Sequence, residues 1–262
     1  MRSLGAGAIK VAVTSSRLTD TLPLKAIAGT GDAIVVGMGD AGVPSRLLAA
    51  LYGSRWTYAG NGVAPGQIPA ERMADDYHFF RVGPETRVFG VVSTNALHSL
   101  SPVMHNAAFE AAGIDAVYVP LRAADFDDFL AYASAMGIEG ASITIPFKLD
   151  ALRAAGRADS LTQSVGAANT LRRDGAGWEA TNTDVDGFLT PLDVVFGTRL
   201  RGARAAVLGA GGSARAVVAA LLGRGALATV YARRPDQAQA LAQSLGATAG
   251  EWPRRPGHGT CS

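Results

Sequence analysis

Short aliphatic runs alternate along the chain with longer stretches in which apolar residues recur at helical spacing. That alternation predicts an α/β fold built on a largely parallel sheet. The runs predict strands at Ile9–Val13, Ala33–Gly37, Val88–Val92, Ala116–Leu121, Ala141–Ile145, Ala205–Leu208 and Thr229–Ala232. The periodic stretches predict helices at Ser45–Leu51, Ser101–Ala112, Asp125–Met136, Ala214–Leu222 and Pro235–Leu245. Ser101 before Pro102 reads as a helix start, the hydroxyl capping while proline gives up an amide that had no partner. Polar, turn-rich stretches at Arg81–Glu85 and around Phe196–Gly202 divide the chain into segments 1–82, 83–190 and 191–262.

Composition narrows the classes. A chain of 262 residues with 48% hydrophobic and 18% charged residues is built to fold, with length for two domains or parts of three. The net charge is +2 and no run of five lysines or arginines occurs, which argues against nucleic acid or membrane partners. The single cysteine, Cys261, allows no internal disulfide and agrees with a reducing compartment. Met1–Lys10 lacks the apolar core of a signal peptide, and no apolar run reaches the roughly 18 residues a spanning helix needs. A cytoplasmic location is therefore expected, and no metal site.

Residues 205–216 place a strand, then Gly209, Gly211 and Ala214 in a G-x-G-x-x-A pattern, then a helix. Gly209 permits a tight turn, Gly211 lets backbone approach a pyrophosphate, and Ala214 allows close helix packing. Gly212 and Ser213 add amides at the helix start, the electropositive end. Read alone, the pattern also fits a structural turn. The next strand ends at Arg233-Arg234, where an NAD site would place an acidic residue. Guanidinium groups there favour a 2′-phosphate, hence NADP, over a plain ribose. The plainer alternative is a solvated arginine pair opening a helix.

Four motifs place polar residues where middle-segment strands end: His98-Ser-Leu-Ser-Pro102, Ser142-Ile-Thr-Ile-Pro-Phe-Lys148, Gly166-Ala-Ala-Asn-Thr170 and Asn182-Thr-Asp-Val-Asp-Gly187. With the glycine turn, their order and spacing resemble shikimate dehydrogenase over about residues 87–245. The resemblance implies NADP-dependent interconversion of 3-dehydroshikimate and shikimate. It makes Ser99 and Ser101 the carboxylate holders, Thr144, Asn169 and Asp184 the partners of ring hydroxyls, and Lys148 the catalytic lysine, with Asp184 its catalytic companion. Alone, Lys148 would read as an exposed residue early in a helix. An unperturbed lysine, with a pKa of about 10.4, is a poor base at neutral pH, so its role is either proton transfer in a tuned setting or polarisation of the carbonyl. Ser142 stands where the family commonly has asparagine, which implies a weaker hydroxyl contact or tolerance of a related ring acid such as quinate. A generic dinucleotide reductase is disfavoured by the four motifs.

In the first segment, Ala8–Val13, Gly37-Met-Gly39, Gly42–Leu47 and Ala64–Gln67 look like the end of a type I 3-dehydroquinate dehydratase. The resemblance implies the last strands of an incomplete TIM barrel, with Lys10 the Schiff-base lysine, Arg46 the carboxylate clamp and Gln67 part of a lid. The family's acid/base histidine has no counterpart before Lys10, so no dehydratase activity is expected from this chain. Trp252–Ser262 shows no helical or strand period, and the late tyrosine and glutamine of the dehydrogenase family have no counterpart. The expected architecture is an open, mostly parallel-sheet substrate domain followed by a truncated Rossmann domain, as a fragment of a bifunctional dehydratase/shikimate dehydrogenase. The competing expectation is a non-catalytic remnant that binds shikimate or NADP weakly without turnover.

Overall fold

The computed structural model describes residues 6–29 and 31–252. Its strands run in the order β1 (Ile9–Thr14), β2 (Ala33–Met38), β3 (Arg87–Ser93), β4 (Ala116–Arg122), β5 (Ile138–Ile143), β6 (Arg157–Ala158), β7 (Thr170–Asp174), β8 (Gly177–Thr181), β9 (Arg204–Leu208), β10 (Leu227–Tyr231) and β11 (Thr248–Gly250). Two compact units form. The first takes the described residues up to Asp150 with Thr170–Glu179; the second takes Ala151–Asn169 with the described residues from Ala180 onward. Cys261 and the tail after Trp252, like Met1–Gly5, lie outside the described residues. Among the described residues no helix is long and apolar enough to cross a membrane.

In the first unit, β1 pairs in parallel with β2, from Ile9 opposite Ala33 to Thr14 opposite Met38. The apolar run of β2 is buried almost throughout, while β1 alternates between half-buried and exposed positions. After β2 the backbone doubles back so tightly that a methyl group on Gly42 would lie 2.4 Å from the Gly37 carbonyl carbon. The expected helix Ser45–Leu51 is two shorter ones, Val43–Leu47 and Ala49–Tyr52, because Leu48 leaves the helical conformation. Pro44, in the first turn, moves the start forward.

The larger sheet has the order β4-β3-β5-β7-β8 within this unit. β3 pairs in parallel with β4 and β5, and β5 pairs antiparallel with β7. The strand expected at Ala141–Ile145 runs instead over Ile138–Ile143. Gly137 ends the helix Phe126–Met136 and the strand follows at once, whereas Pro146 has no amide for a ladder.

Polar bonds, some buried and some at the surface, join residues 15–76 to the larger sheet and its helices. Asp128, 1% exposed, accepts from the amides of Leu18 (2.9 Å), Thr19 (3.0 Å) and Ala124 (3.1 Å) and from the Thr19 hydroxyl (2.8 Å). Arg17 grips Asp125 with two nitrogens, at 2.8 and 2.9 Å. The Tyr52 hydroxyl lies 2.6 Å from that of Thr21 and 3.2 Å from that of Tyr132. Burial pushes both phenols above the ordinary tyrosine range, Tyr132 well above it.

In the second unit, β11-β10-β9 form a parallel sheet covered by the helices Gly212–Gly223 and Pro235–Leu245, around Val207, Val218, Leu221, Val230 and Leu241. The first of these helices begins two residues before the expected Ala214, since Gly212 and Ser213 carry no apolar side chain to mark its opening turn. A second cluster packs Val165, Ala167, Val185, Leu189, Ala216 and Ala220. It seats the helix Asp184–Phe196, which contains Pro191.

Candidate active site

In the first unit the polar residues follow two strand ends. Ser93, closing β3, accepts from the Asn95 amide (3.0 Å) and donates to the Ile145 carbonyl (2.9 Å), so its hydroxyl ties the loop after β3 to the loop after β5. The Thr144 amide donates to the Val92 carbonyl (3.1 Å), and the Phe147 amide donates to the Thr144 carbonyl (2.9 Å). That turn delivers Lys148 as the first residue of the helix Lys148–Ala154, only 7% exposed. A lysine so placed is largely out of water at a helix start, whereas an ordinary lysine keeps its ammonium at the surface.

Ser99 and Ser101 share one helix start, with a correction. Ser101 is the first residue of the helix Ser101–Ala111 and Leu100 precedes it without a side-chain cap. The Ser99 hydroxyl accepts from the Ser101 amide (3.1 Å), so Ser99 meets the need that Ser101 was expected to meet. The spacing of the two serines gave no hint of which one would turn back to the backbone.

In the second unit Asn169 and Asp184 bond directly. The Asn169 amide nitrogen Nδ2 donates to Asp184 Oδ1 and to the Thr183 hydroxyl, each at 2.8 Å, and the Thr183 amide returns a bond to Asn169 Oδ1 (3.0 Å). Asn182, 5% exposed, accepts from the Asp184 amide (3.0 Å) and donates to the Ala167 carbonyl (2.7 Å). Asp184 opens its helix, where the dipole favours a carboxylate. Thr183 and Asn182 belong to the same motif, and the sequence assigns them no role. Their polar side chains inside it were the only signal available.

The glycine turn has the form a pyrophosphate needs. Gly209 takes φ +119°, a backbone conformation side chains rarely adopt, and its amide donates to the Tyr231 carbonyl (2.7 Å). A methyl group on Gly211 would meet nothing within 4 Å, so the approach to the helix start is open. Gly212, Ser213 and Ala214 form the first turn, whose amides point outward from the helix end. Beside it runs a groove of about 620 Å³ walled by Leu208, Ser213, Ala214 and Val217. Arg233 and Arg234 follow β10 after one residue, Ala232, and are both exposed. These residues fit a phosphorylated dinucleotide.

The residues expected from the dehydratase resemblance all lie in the first unit. Lys10 is exposed, its Nζ 3.9 Å above the Tyr58 ring centroid. Arg46 is 2% exposed and donates to the carbonyls of Tyr58 (3.2 Å) and Pro65 (3.4 Å), while burial pulls its guanidinium below the ordinary arginine range. Gln67 Oε1 accepts from the Ala64 amide (2.9 Å).

Residues 91–171 match the shikimate dehydrogenase substrate binding domain, and residues 1–84 match type I 3-dehydroquinase. The chloroplastic bifunctional 3-dehydroquinate dehydratase/shikimate dehydrogenase of Arabidopsis thaliana is 30% identical over 269 residues, 95% of this chain and 45% of that protein. The NADP(+) shikimate dehydrogenase of Anaeromyxobacter dehalogenans (strain 2CP-C) is 44% identical over 164 residues, 62% of this chain and 58% of that protein. Among solved structures, shikimate dehydrogenase from Aquifex aeolicus superposes with a TM-score of 0.60 at 30% identity, covering 64% of each chain. Shikimate 5-dehydrogenase from Thermus thermophilus, in complex with NADP(H) and shikimate, does so with a TM-score of 0.53 at 35% identity, covering 63% of this chain and 62% of that one. The chain spans about half the length of the curated relatives it matches. It thus joins a segment related to type I 3-dehydroquinases to one related to the substrate-binding domain of shikimate dehydrogenases.

Proposed function

We propose that this chain binds shikimate or 3-dehydroshikimate together with NADP and carries the residues of NADP-dependent shikimate dehydrogenation. The observation that carries the reading is Lys148, an almost fully buried lysine delivered to a helix start by the Thr144 turn, inside the stretch that matches the substrate-binding family. NADP, when bound, supplies the hydride carrier, with the glycine turn and Arg233 and Arg234 as its holders. The Lys148 ammonium donates a hydrogen bond to the oxygen of the carbonyl under reduction and passes it a proton, which leaves a neutral amine; in the reverse direction that amine takes the hydroxyl proton back. The Asp184 carboxylate, aligned by Asn169, accepts from a ring hydroxyl and fixes its orientation. Ser99 and Ser101 offer hydroxyls to the ring carboxylate, and Thr144 offers one to a ring hydroxyl.

Dehydratase turnover forms no part of the proposal. Two nitrogens of Arg46 are spent on backbone carbonyls, and Lys10 stands out toward solvent over Tyr58.

The test uses the purified chain with shikimate and NADP+, following the near-ultraviolet absorbance of reduced nicotinamide. Turnover is expected, and Lys148→Met is expected to lower kcat by about 10²–10⁴-fold, the range for loss of a positioned acid/base group. Calorimetric binding without absorbance change would support the non-catalytic remnant instead. Absence of binding to either ligand would overturn both readings.

A further inference from the structure

Arg215 lies beyond the glycine turn and outside every role assigned above. Its own amide donates to the Gly211 carbonyl (3.1 Å), which fixes its backbone to the turn. Its Nη1 donates to the Val165 carbonyl (3.3 Å) and to the Ser244 hydroxyl (3.2 Å). Val165 is the last residue of the helix Ser160–Val165, where carbonyls lack partners within the helix. A guanidinium nitrogen there acts as a cap supplied from another helix. Gly166 follows in the left-handed conformation (φ 71°), and a methyl group on it would sit 2.9 Å from Arg215 Nη1. Ser244 belongs to the helix Pro235–Leu245, which begins directly after Arg233 and Arg234.

Asn169 follows shortly after Gly166, and the intervening Ala167 is held by Asn182. Ala216, next to Arg215, shares a core cluster with Val165, Ala167, Val185 and Leu189, so the helix after the glycine turn packs with the loop bearing Asn169 and with the helix that Asp184 opens. Within that packing Arg215 is a polar pin: one nitrogen reaches the loop that aims Asn169, and the same nitrogen reaches the helix that follows the arginine pair.

We propose that Arg215 is a positioning residue that couples dinucleotide occupancy of the glycine turn to the order of the Gly166–Asn169 loop, so that NADP and the ring substrate bind cooperatively. Ordering of the turn and of the Pro235–Leu245 helix by the dinucleotide is passed through one guanidinium to the Val165 carbonyl. Asn169 and its partner Asp184 are thereby set before the ring arrives. The proposal rests on the reading given under the proposed function and adds to it a direction of communication.

The test measures shikimate affinity by calorimetry with and without saturating NADP+, for the wild-type chain, Arg215→Met and Arg215→Lys, with hydrogen exchange of residues 166–169 in parallel. The readout is the ratio of the two affinities, because a residue needed only for stability would shift both together. Wild type is expected to show a ratio of about 5-fold or more, the lower end of ordinary coupling. Arg215→Met is expected to bring the ratio near unity, and Arg215→Lys to recover part of it, since an ammonium can still donate to Val165. Without ligand, exchange at 166–169 is expected to rise in Arg215→Met. A coupling ratio unchanged in Arg215→Met, or a wild-type chain that binds both ligands without coupling, would overturn the proposal while leaving the dehydrogenase reading in place. If wild type binds neither ligand, that reading falls instead; unchanged exchange in Arg215→Met would then overturn the pin on its own.

Discussion

Replacing Asp128 by alanine removes an acceptor that four donors share, and the structure indicates how much that costs. The Leu18 residue is 0% exposed and Asp128 itself 1%, so the Leu18 amide left behind has no water to turn to. A hydrogen bond to a charged group contributes about 1.5–3 kcal/mol, and a buried donor left unpaired carries a desolvation penalty of similar size. The Thr19 and Ala124 groups are only partly buried and recover some of their loss from solvent. Truncation also relieves the cost of burying a carboxylate. The net loss is then about 3–5 kcal/mol, as for breaking other buried charged arrangements. Equilibrium urea unfolding reads it through two reporters in the same unit: Trp178, 5% exposed, and Trp56, 45% exposed. The Trp56 transition is expected to move to lower urea and to separate from that of Trp178, because Asp128 holds the segment around Leu18 against the larger sheet's helix. Asp128→Asn, which turns a donor toward donors, should lose nearly as much. A loss below about 1 kcal/mol in the alanine variant would refute the reasoning, since a buried charged acceptor cannot be removed so cheaply.

Two further outcomes are expected. The Asp20 carboxyl is held below its ordinary value by the Arg17 amide and, with it, the Ser16 amide and hydroxyl. Its ionised form therefore stabilises the fold above the unfolded pKa of about 3.9, and that contribution disappears as pH falls through the folded value. Asp20→Asn should lower Tm at neutral pH, with the difference from wild type closing in acid; a difference that stays constant with pH would count against it. Gly42→Ala should cost about 1–3 kcal/mol or more in denaturant unfolding, because its methyl group would meet the Gly37 backbone rather than a movable side chain. Wild-type stability in that variant would show that the turn relaxes freely.

What could be read from the chain alone depended on how local the signal was. The helix Pro235–Leu245 occurs at the expected bounds, because a proline start, apolar spacing and a closing glycine lie together in one short stretch. By contrast β7 and β8 gave no warning. Thr170–Asp174 buries only Leu171 and reads as polar, and its support comes from tertiary contacts such as Arg173 over the Trp178 ring at 4.1 Å. Asp184–Phe196 was missed because Gly187 and Pro191 interrupt its helical spacing. The candidates Lys148, Asn169 and Asp184 could be named from the chain because each lies in a short contiguous motif that resembles a known family. The bond from Arg215 to Val165 spans 50 residues, and no window of sequence contains both ends.

The hydroxyl chain from Thr21 through Tyr52 to Tyr132 has a practical consequence for anyone dissecting the molecule. The dehydroquinase match stops at residue 84, and a scalpel placed there would look natural. Yet the cut would strip Tyr132 of its phenolic neighbour and leave the Asp128 carboxylate bare of Leu18 and Thr19. Ancestry and cohesion draw different borders in this polypeptide, and a trimmed version that respects only the first would begin life with a wound in its interior.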